Sequence, residues 1–592
     1  MSARVWQWMA ACVIGGVWNV APAMAVSPAQ YLAQGGDFEL EDFEFWAQQC
    51  VLLSTENDYQ KTQETCEQAI GLKPKRDNLD LWFARGQALF HLGNYSEAMT
   101  SFSWVLERAP NDSISLTYQC AAQFLLSRPQ TAVDTCEQAL EQDGNWGTDS
   151  PALAWYYRGL ALQTQGRLET ALGSYQRAQR LTPDDQRVQA GLCTVAFELG
   201  LKDRCSLAEA VVAYERAIAA NPDDITLWFQ QGLVLEQLGR YQQAITAYEG
   251  AIAIKPDYSL ALARHCTLLN ENEAYEAALA ACDAALAGDG NWDQLGPVVA
   301  WSQRSRAQLG LEDYEAALGS AERAIVVNPQ YSGGWINRAV GLWHLGDLSG
   351  ARLAIQEANR IEAEIEPLLE ESFNRQYPEP AVLFQRRRAV TAYNEGAIYL
   401  SLAVEQPGPT YPRQARDAYQ RAINIYQRCQ PRLMIDPLNL AAANNIALPA
   451  EGALLKQKFL AELWTSLAVA ELYSGRLLQA SDAAHQAVRY DEESYEVWYN
   501  LGVVNLNSPV DPVETWDAFA EAATLNPESL APVLGQAMTL LKAGCNAEAL
   551  RAFEQVLNID PAHELAQEQH RQLLALSSSP LPASTPCPIE LQ

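Results

Sequence analysis

Residues 81–110 read LWFARGQALFHLGNYSEAMTSFSWVLERAP. Apolar side chains recur at helical spacing from Leu81 to Leu92, stop at Gly93-Asn94, and resume from Tyr95 to Leu106 ahead of Pro110. The pattern predicts two helices joined by a tight turn, because a period near 3.6 puts every third or fourth side chain on one face. Gly86 and Ala98 let two helix backbones approach, Tyr95 and Phe102 fill the space left between units, and Pro110 ends the second helix.

The pattern returns at 226–257, TLWFQQGLVLEQLGRYQQAITAYEGAIAIKPD, with Trp228, Gly232, Gly239, Tyr241, Ala244, Tyr248 and Pro256. It returns again in VWYNLGVVNL, where Trp498 and Gly502 are followed by Phe519, Ala522 and Pro527. The spacing of Trp82, Gly86, Gly93, Tyr95, Ala98, Phe102 and Pro110 resembles the tetratricopeptide repeat, a helix-turn-helix unit of about 34 residues. The resemblance implies an all-α fold, a right-handed α-solenoid of about 12–13 units. Units fall at 43–76, 79–112, 113–146, 152–185, 186–224, 225–258, 259–292, 298–331 and 332–365, then at 461–494, 495–529 and 530–563, with a degenerate one near 389–428.

Around the units the sequence predicts the following order. Residues 1–25 are a signal peptide, with Arg4 as its one charge, an apolar stretch from Val5 to Ala21 and an Ala23-Met24-Ala25 cleavage site, so the mature chain starts at Val26. Gln7, Gly15, Gly16 and Asn19 argue against an uncleaved membrane anchor. An acidic entry segment, 26–42, leads into the N-terminal array, 43–365. Prolines and poor periodicity make 366–388 a joint, and 389–576 a C-terminal array with an irregular insert at 429–460 and a closing helix. Residues 577–592 read as a disordered tail.

The tetrapeptide DGNW occurs at Asp143–Trp146 and again at Asp289–Trp292, 146 residues later. The same shift lays Trp82 on Trp228, Gly86 on Gly232, Cys120 on Cys266, Cys136 on Cys282, Trp155 on Trp301 and Pro183 on Pro329. The chain therefore contains a duplicated block of four repeats. DGNW is expected to be a helix stop, with Gly144 and Gly290 left-handed and the tryptophans packed back. A calcium loop is disfavoured, since Gln294 stands where the sharp turn needs Gly and Ala300 where a bidentate Glu belongs.

Cys12 leaves with the signal. Cys50/Cys66, Cys120/Cys136 and Cys266/Cys282 each replace the small residue of a unit's first helix and the aromatic of its second. Those positions face each other in the repeat, and an exported chain meets an oxidising compartment, so three disulfides are expected. Each closes a loop worth about 3 kcal/mol in the chain-entropy model. Cys193 and Cys205 are a candidate fourth bridge. Cys429, Cys545 and Cys587 leave one odd thiol or an intermolecular bond.

With 72 acidic against 41 basic residues, the formal charge is −31, which repels phosphate backbones and argues against a nucleic-acid partner. The six His residues form no zinc-spaced cluster, and neither G-x-S-x-G nor a phosphate loop is present, so no enzyme, metal or cofactor is expected. Arg386-Arg387-Arg388 reads as a solvated or internally paired helix face, with an anion-binding patch as the functional alternative.

What the resemblance implies for function is a groove lined by the first helix of each unit. Mapped here, that face holds Phe83, Tyr156, Phe229, Gln230, Ile336, Asn337, Trp343, Tyr499 and Asn500, although several of these also suit packing between units. It predicts an exported protein-binding scaffold for apolar, aromatic or cationic peptide segments, set in assembly or maturation of an envelope or secreted complex. The abundance of Trp and Tyr leaves a carbohydrate- or cell-wall-binding role as the alternative. Oligomeric state is left open.

Overall fold

The structure is a computed structural model that describes residues 38–592 other than 73–77, 142–143, 145, 147–150, 202–204, 293–295, 374–377, 429–449, 578–586 and 590–592. The signal peptide read at 1–25 and Cys429 lie outside the described residues. Among the described residues there are 27 helices and no strand, packed as successive helix pairs of an α-solenoid. The chain divides into two compact units, 1–88 and 89–592.

In the first unit, Phe38–Thr55 pairs with Tyr59–Leu72 around a core of Phe43, Ala47, Cys50, Cys66, Ala69, Leu81 and Ala84. Phe38 opens the first helix, so the end of the predicted entry segment 26–42 is already helical.

In the second unit one packing motif recurs. A ring from the second helix of a unit lies on a glycine of that unit's first helix and on a glycine of the next unit's first helix. A Cβ built on Gly159 would come within 2.8 Å of the Tyr175 ring, and one on Gly191 within 2.7 Å of the same ring. Phe519 is held in the same way by Gly502 and Gly535, at 2.6 and 2.5 Å. Gly232 faces Tyr248 and Gly396 faces Tyr419 at 2.4 and 2.7 Å. The last case shows that the unit near 389–428, degenerate in sequence, keeps the packing. A second motif fixes the entry to three units: the indole Nε1 of Trp228, Trp335 and Trp498 donates to the carbonyl six residues upstream, at Pro222, Pro329 and Glu492, over 2.8–2.9 Å.

Where cysteines replace the small residue and the ring, the structure places disulfides. Cys50–Cys66, Cys120–Cys136 and Cys266–Cys282 have Cα–Cα separations of 4.9, 5.3 and 5.3 Å, and Cys193–Cys205 has 5.0 Å, all within disulfide reach. Cys193 stands at the small position of its unit, but Tyr214 keeps the ring position, so its partner Cys205 comes from the turn before the second helix. A fifth bridge, Cys545–Cys587, was not legible in the spacing.

In the predicted joint 366–388, helix Leu348–Phe373 runs in from one side and Pro378–Glu405 begins on the other, with 374–377 between them outside the described residues. Pro378 sits at a helix start, where a missing N–H costs nothing. Of the irregular insert 429–460, residues 429–449 lie outside the described residues, and the rest belongs to helix Ala450–Tyr473. The tail 577–592 was expected to be disordered, yet Cys587–Ile589 is packed: Cys587 is bonded to Cys545 and Ile589, 4% exposed, joins Leu540, Phe553, Val556 and Leu573. A covalent anchor and an apolar side chain outweigh the polar composition around them.

Gly159→Val should lower stability by about 1–3 kcal/mol through overpacking against Tyr175, seen as a lower thermal midpoint by circular dichroism. Gly173→Ala is the control, because nothing lies within 4 Å of its Cβ position; it should raise the midpoint slightly. Alkylation of the mature chain without reductant should label Cys429 and spare the ten bridged cysteines. Intact mass and peptide mapping before and after reduction read this out.

Candidate functional site

The residues mapped to the groove separate into two groups. Tyr156 is 2% exposed, with its ring 5.3 Å from Tyr157 and 6.2 Å from Tyr175. Phe229, 7% exposed, packs on Tyr248 and Tyr258. Both belong to a convergence of side chains from distant units: Phe90 meets Tyr157 at 6.4 Å, and Lys255 Nζ lies 5.3 Å from the Tyr95 ring and 5.8 Å from the Tyr258 ring. The inner face around residues 90–289 is thus filled by the chain itself. Tyr156 and Phe229 are packing residues there rather than an open ligand surface. Ile336 is buried, Asn337 Nδ2 donates to the Ser302 carbonyl at 2.7 Å, and Trp343 Nε1 donates to Ser401 Oγ at 2.9 Å. Gln230 is half-buried, and so is Phe83 in the first unit. Tyr499 stacks on Tyr495 at 5.9 Å and leans on Phe519.

Asn500 is different, because it lines an open cleft of about 290 Å³. Helix Ala450–Tyr473 contributes Lys458, Glu462, Thr465 and Ser466, helix Tyr495–Leu506 contributes Glu496, Val497 and Asn500, and the turn between units contributes Asp491 and Ser494. Three carboxylates face one ammonium. Asn500 Nδ2 is tied to the Glu496 carbonyl at 2.8 Å, and its side-chain oxygen is the acceptor it brings to the cleft. Ser494 Oγ donates to Glu496 Oε2 at 3.0 Å and caps the helix by accepting from Val497 N–H at 3.4 Å. Tyr393 donates to Glu462, orienting that carboxylate.

Two buried polar atoms of helix Ala450–Tyr473 lack partners here, and of the two residues only Thr465 lines the cleft. Thr465 Oγ1 is buried and makes no hydrogen bond, and neither does Trp464 Nε1 beside it. The tryptophan is the equivalent of Trp228, Trp335 and Trp498, whose indoles reach a loop carbonyl. Helix Ala450–Tyr473 starts well before Trp464, so the corresponding carbonyl, at Lys458, is inside the helix. Glu462, Thr465, Ser466, Asp491 and Glu496 were not singled out from sequence. The signal was available, since Glu462, Thr465 and Ser466 precede Glu496, Tyr499 and Asn500 by one repeat length, but small polar residues carry no aromatic cue.

Other candidates are absorbed by structure. In the second DGNW, Asp289 Oδ2 accepts from Lys255 Nζ at 2.6 Å and Oδ1 from the Ser259 and Asn291 N–H groups at 3.2 and 3.0 Å. Burial pushes the Asp289 carboxyl up, but these partners outweigh it and hold it below the usual range. Gly144 and Gly290 have φ of 73° and 69°, and their N–H groups donate to Ser113 and Ser259 Oγ in both copies. Trp146 lies against Gly144, and Trp292 packs with Leu262, Ala263, Ala285 and Ala300. Asp143 and Asn145 lie outside the described residues. DGNW is a turn docked on its own unit's first helix. His485 Nε2 lies 2.6 Å from Glu514 and its Nδ1 3.5 Å from Ser481 Oγ, but that serine is buried and donates to Asn505 Oδ1 at 2.7 Å, so it is no nucleophile. Of the arginine run, Arg387 pairs with Glu362 at 3.3 Å, and the Arg386 side chain lies outside the described residues. Among the described residues no group of three or more His, Cys, Asp or Glu is arranged to hold a metal ion, and no helix is long and apolar enough to cross a membrane.

These helix pairs, with their ring-on-glycine packing and repeated tryptophan clamp, define a helical-repeat protein. The tetratricopeptide repeat family pattern matches residues 54–113, 206–259, 303–362 and 465–529, and a second pattern of the same description matches 152–185; the chain is a tetratricopeptide repeat protein. It is 25% identical over 130 residues to outer dynein arm-docking complex subunit 4 of Xenopus laevis, which covers 22% of this chain; the chain spans 23% of the length of that relative. Among solved structures it is similar to a chain of the APC/C hetero-tetramer Cut9-Hcn1, at 14% identity and a TM-score of 0.40, covering 93% of this chain and 98% of that one. It is also similar to YrrB, a tetratricopeptide repeat protein with an unusual peptide-binding site, at 15% identity and a TM-score of 0.29, covering 42% of this chain and 97% of that one.

Glu362 gives a pH test of the packing near the predicted joint. It is 2% exposed and accepts from Ser332 and Thr391 hydroxyls at 3.2 Å each. Burial pushes its carboxyl up, and the Arg387 charge only partly offsets this. A raised carboxyl stabilises fully below the unfolded pKa, about 4.3, and loses that contribution as pH rises through its folded value. Between pH 7 and 5 the wild type should therefore gain in melting temperature more than Glu362→Gln does, with scanning calorimetry at both pH values as the measurement.

Proposed function

We propose that this protein is an exported scaffold that holds an extended, cationic segment of a partner protein in the cleft between helices Ala450–Tyr473 and Tyr495–Leu506. The observation that carries the reading is the cleft wall itself. Glu462 and Glu496, on the first helices of successive repeats, and Asp491, from the turn between them, line one cleft. Lys and Arg side chains complement the carboxylates, and a backbone N–H can donate to the Asn500 carboxamide oxygen. The net charge of −31 raises the encounter rate with such a segment. Export is supported by the N-terminal sequence and by five cysteine bridges, which persist in oxidising compartments. Assembly or maturation of an envelope or secreted complex is the setting that suits an exported scaffold.

The test is isothermal titration of the mature chain with an extended Lys/Arg-rich peptide and with a Glu/Asp-rich peptide of equal length. The cationic peptide should bind, with affinity falling as salt rises. Glu462→Gln with Glu496→Gln should weaken it by about tenfold and flatten the salt dependence. Equal binding of both peptides, or an unchanged affinity in the double variant, sinks the reading.

A further inference from the structure

The two duplicated blocks differ at one place that a ligand can use. In the later block, Tyr275 opens the second helix of its unit, and its ring lies flat on the end of the next unit's first helix. A Cβ built on Gly310 would come within 2.5 Å of that ring. Tyr314 repeats the contact one unit on, stacking on His344 with centroids 4.4 Å apart and planes 3° from parallel. In these two units an aromatic ring is thus what this repeat position offers its neighbour.

In the earlier block, 146 residues upstream, Pro129 replaces Tyr275 and Thr164 replaces Gly310. The helices keep their places, Pro129–Glu141 against Ala152–Thr164, as Tyr275–Ala287 stands against Val298–Gly310. The ring is gone, and a pocket of about 250 Å³ opens there, lined by Arg128, Pro129, Gln130, Thr131 and Gln165. Gln165 Nε2 is buried in this wall and has no hydrogen-bond acceptor. The later block has Leu311 at that position and so no amide to satisfy. Ring loss and amide gain thus fall at one spot, beside the exposed Arg128. The pocket lies in other repeats than the cleft, and its case is independent of it.

We propose that this pocket binds an aromatic side chain of a partner polypeptide that carries a carboxylate next to the ring-bearing residue. The ring takes the apolar space over Pro129 that Tyr275 fills in the later block. It sits nearer Gln165 than Tyr275 sits to Leu311, because the Thr164 Cβ occupies the part closest to the helix. Gln165 Nε2 and the Arg128 guanidinium donate to the carboxylate, which gives the orphaned amide an acceptor and the cation a partner of opposite charge. The carboxylate belongs to a C-terminal Phe or Tyr, or to an Asp that follows one inside a chain.

The test uses the full mature chain and fluorine NMR of two short peptides bearing 4-fluorophenylalanine. One ends in that residue with a free carboxylate; the other has it followed by Asp and ends in an amide. Line broadening of either supports the site and says which source supplies the carboxylate, and broadening of neither at about millimolar peptide overturns it. Pro129→Tyr with Thr164→Gly rebuilds the Tyr275–Gly310 arrangement and plugs the pocket with the chain's own ring. This variant should keep its helical circular dichroism and lose the broadening; retained broadening in a folded variant overturns the proposal. Arg128→Gln, an exposed change, should weaken binding by about tenfold, and an unchanged affinity removes the carboxylate from the proposal.

Discussion

Everything in this solenoid hangs on one contact, a ring of the second helix lying on the bare backbone of two first helices. Tyr175 between Gly159 and Gly191, and Phe519 between Gly502 and Gly535, are the clearest cases. Because the ring touches both its own unit and the next, one side chain sets the spacing within a unit and between units. No Cβ can be added to either glycine without moving the ring or a helix. A disulfide satisfies the first half of this requirement at Cys120–Cys136 and Cys266–Cys282, by tying the two helices directly. It cannot reach the following unit. Within the same units the DGNW turns add a second tie, docking on Ser113 and Ser259 at the start of the unit's own first helix.

Duplication shows which of these contacts are shared by both copies. Arg158 bridges Glu137 and Ser174 in one block, and Arg304 bridges Asp283 and Ser320 at the same spots in the other. Each pair spans two units and survives a Glu-to-Asp exchange, because the arginine is long enough to adjust. Contacts made by one copy alone are of another kind. Lys255 has Ala109 as its counterpart, and it is Lys255 that joins Asp289 to the Tyr95 and Tyr258 rings. The closure of the inner face thus comes from a single block's divergence and not from the repeat itself.

That is also why the fold was more legible than the site. Local period, turn glycines and paired cysteines are properties of one unit, and they fix the helix pairs from sequence alone. A proline at a helix start looks the same in sequence as one in a break; at Pro378 the helix that follows shows that it opens one. Cys545 and Cys587 lie 42 residues apart, outside the sixteen-residue rhythm of three of the other bridges. For the site, aromatic residues at groove positions were the natural choice, yet Tyr156 and Phe229 are packed on Tyr157 and Tyr258, which in turn meet Phe90 and, through Lys255, Tyr95 from other units. Whether a groove position is open depends on how many units converge on it, and no single unit encodes that.

Binding capacity in a repeat protein is then best sought where a recurring interaction fails. Three units satisfy their entry indole by the same device, the clamp of Trp228, Trp335 and Trp498. At Trp464 the clamp has no carbonyl to reach, since the helix has grown backward over the loop that would present it. An unmade hydrogen bond in a packed wall costs about 1–3 kcal/mol, and the array tolerates it here because ring packing on either side holds the helices regardless. The same strength that makes the repeats uniform lets single positions be left unsatisfied, and an unsatisfied group at an open wall is the chemistry a partner can complete.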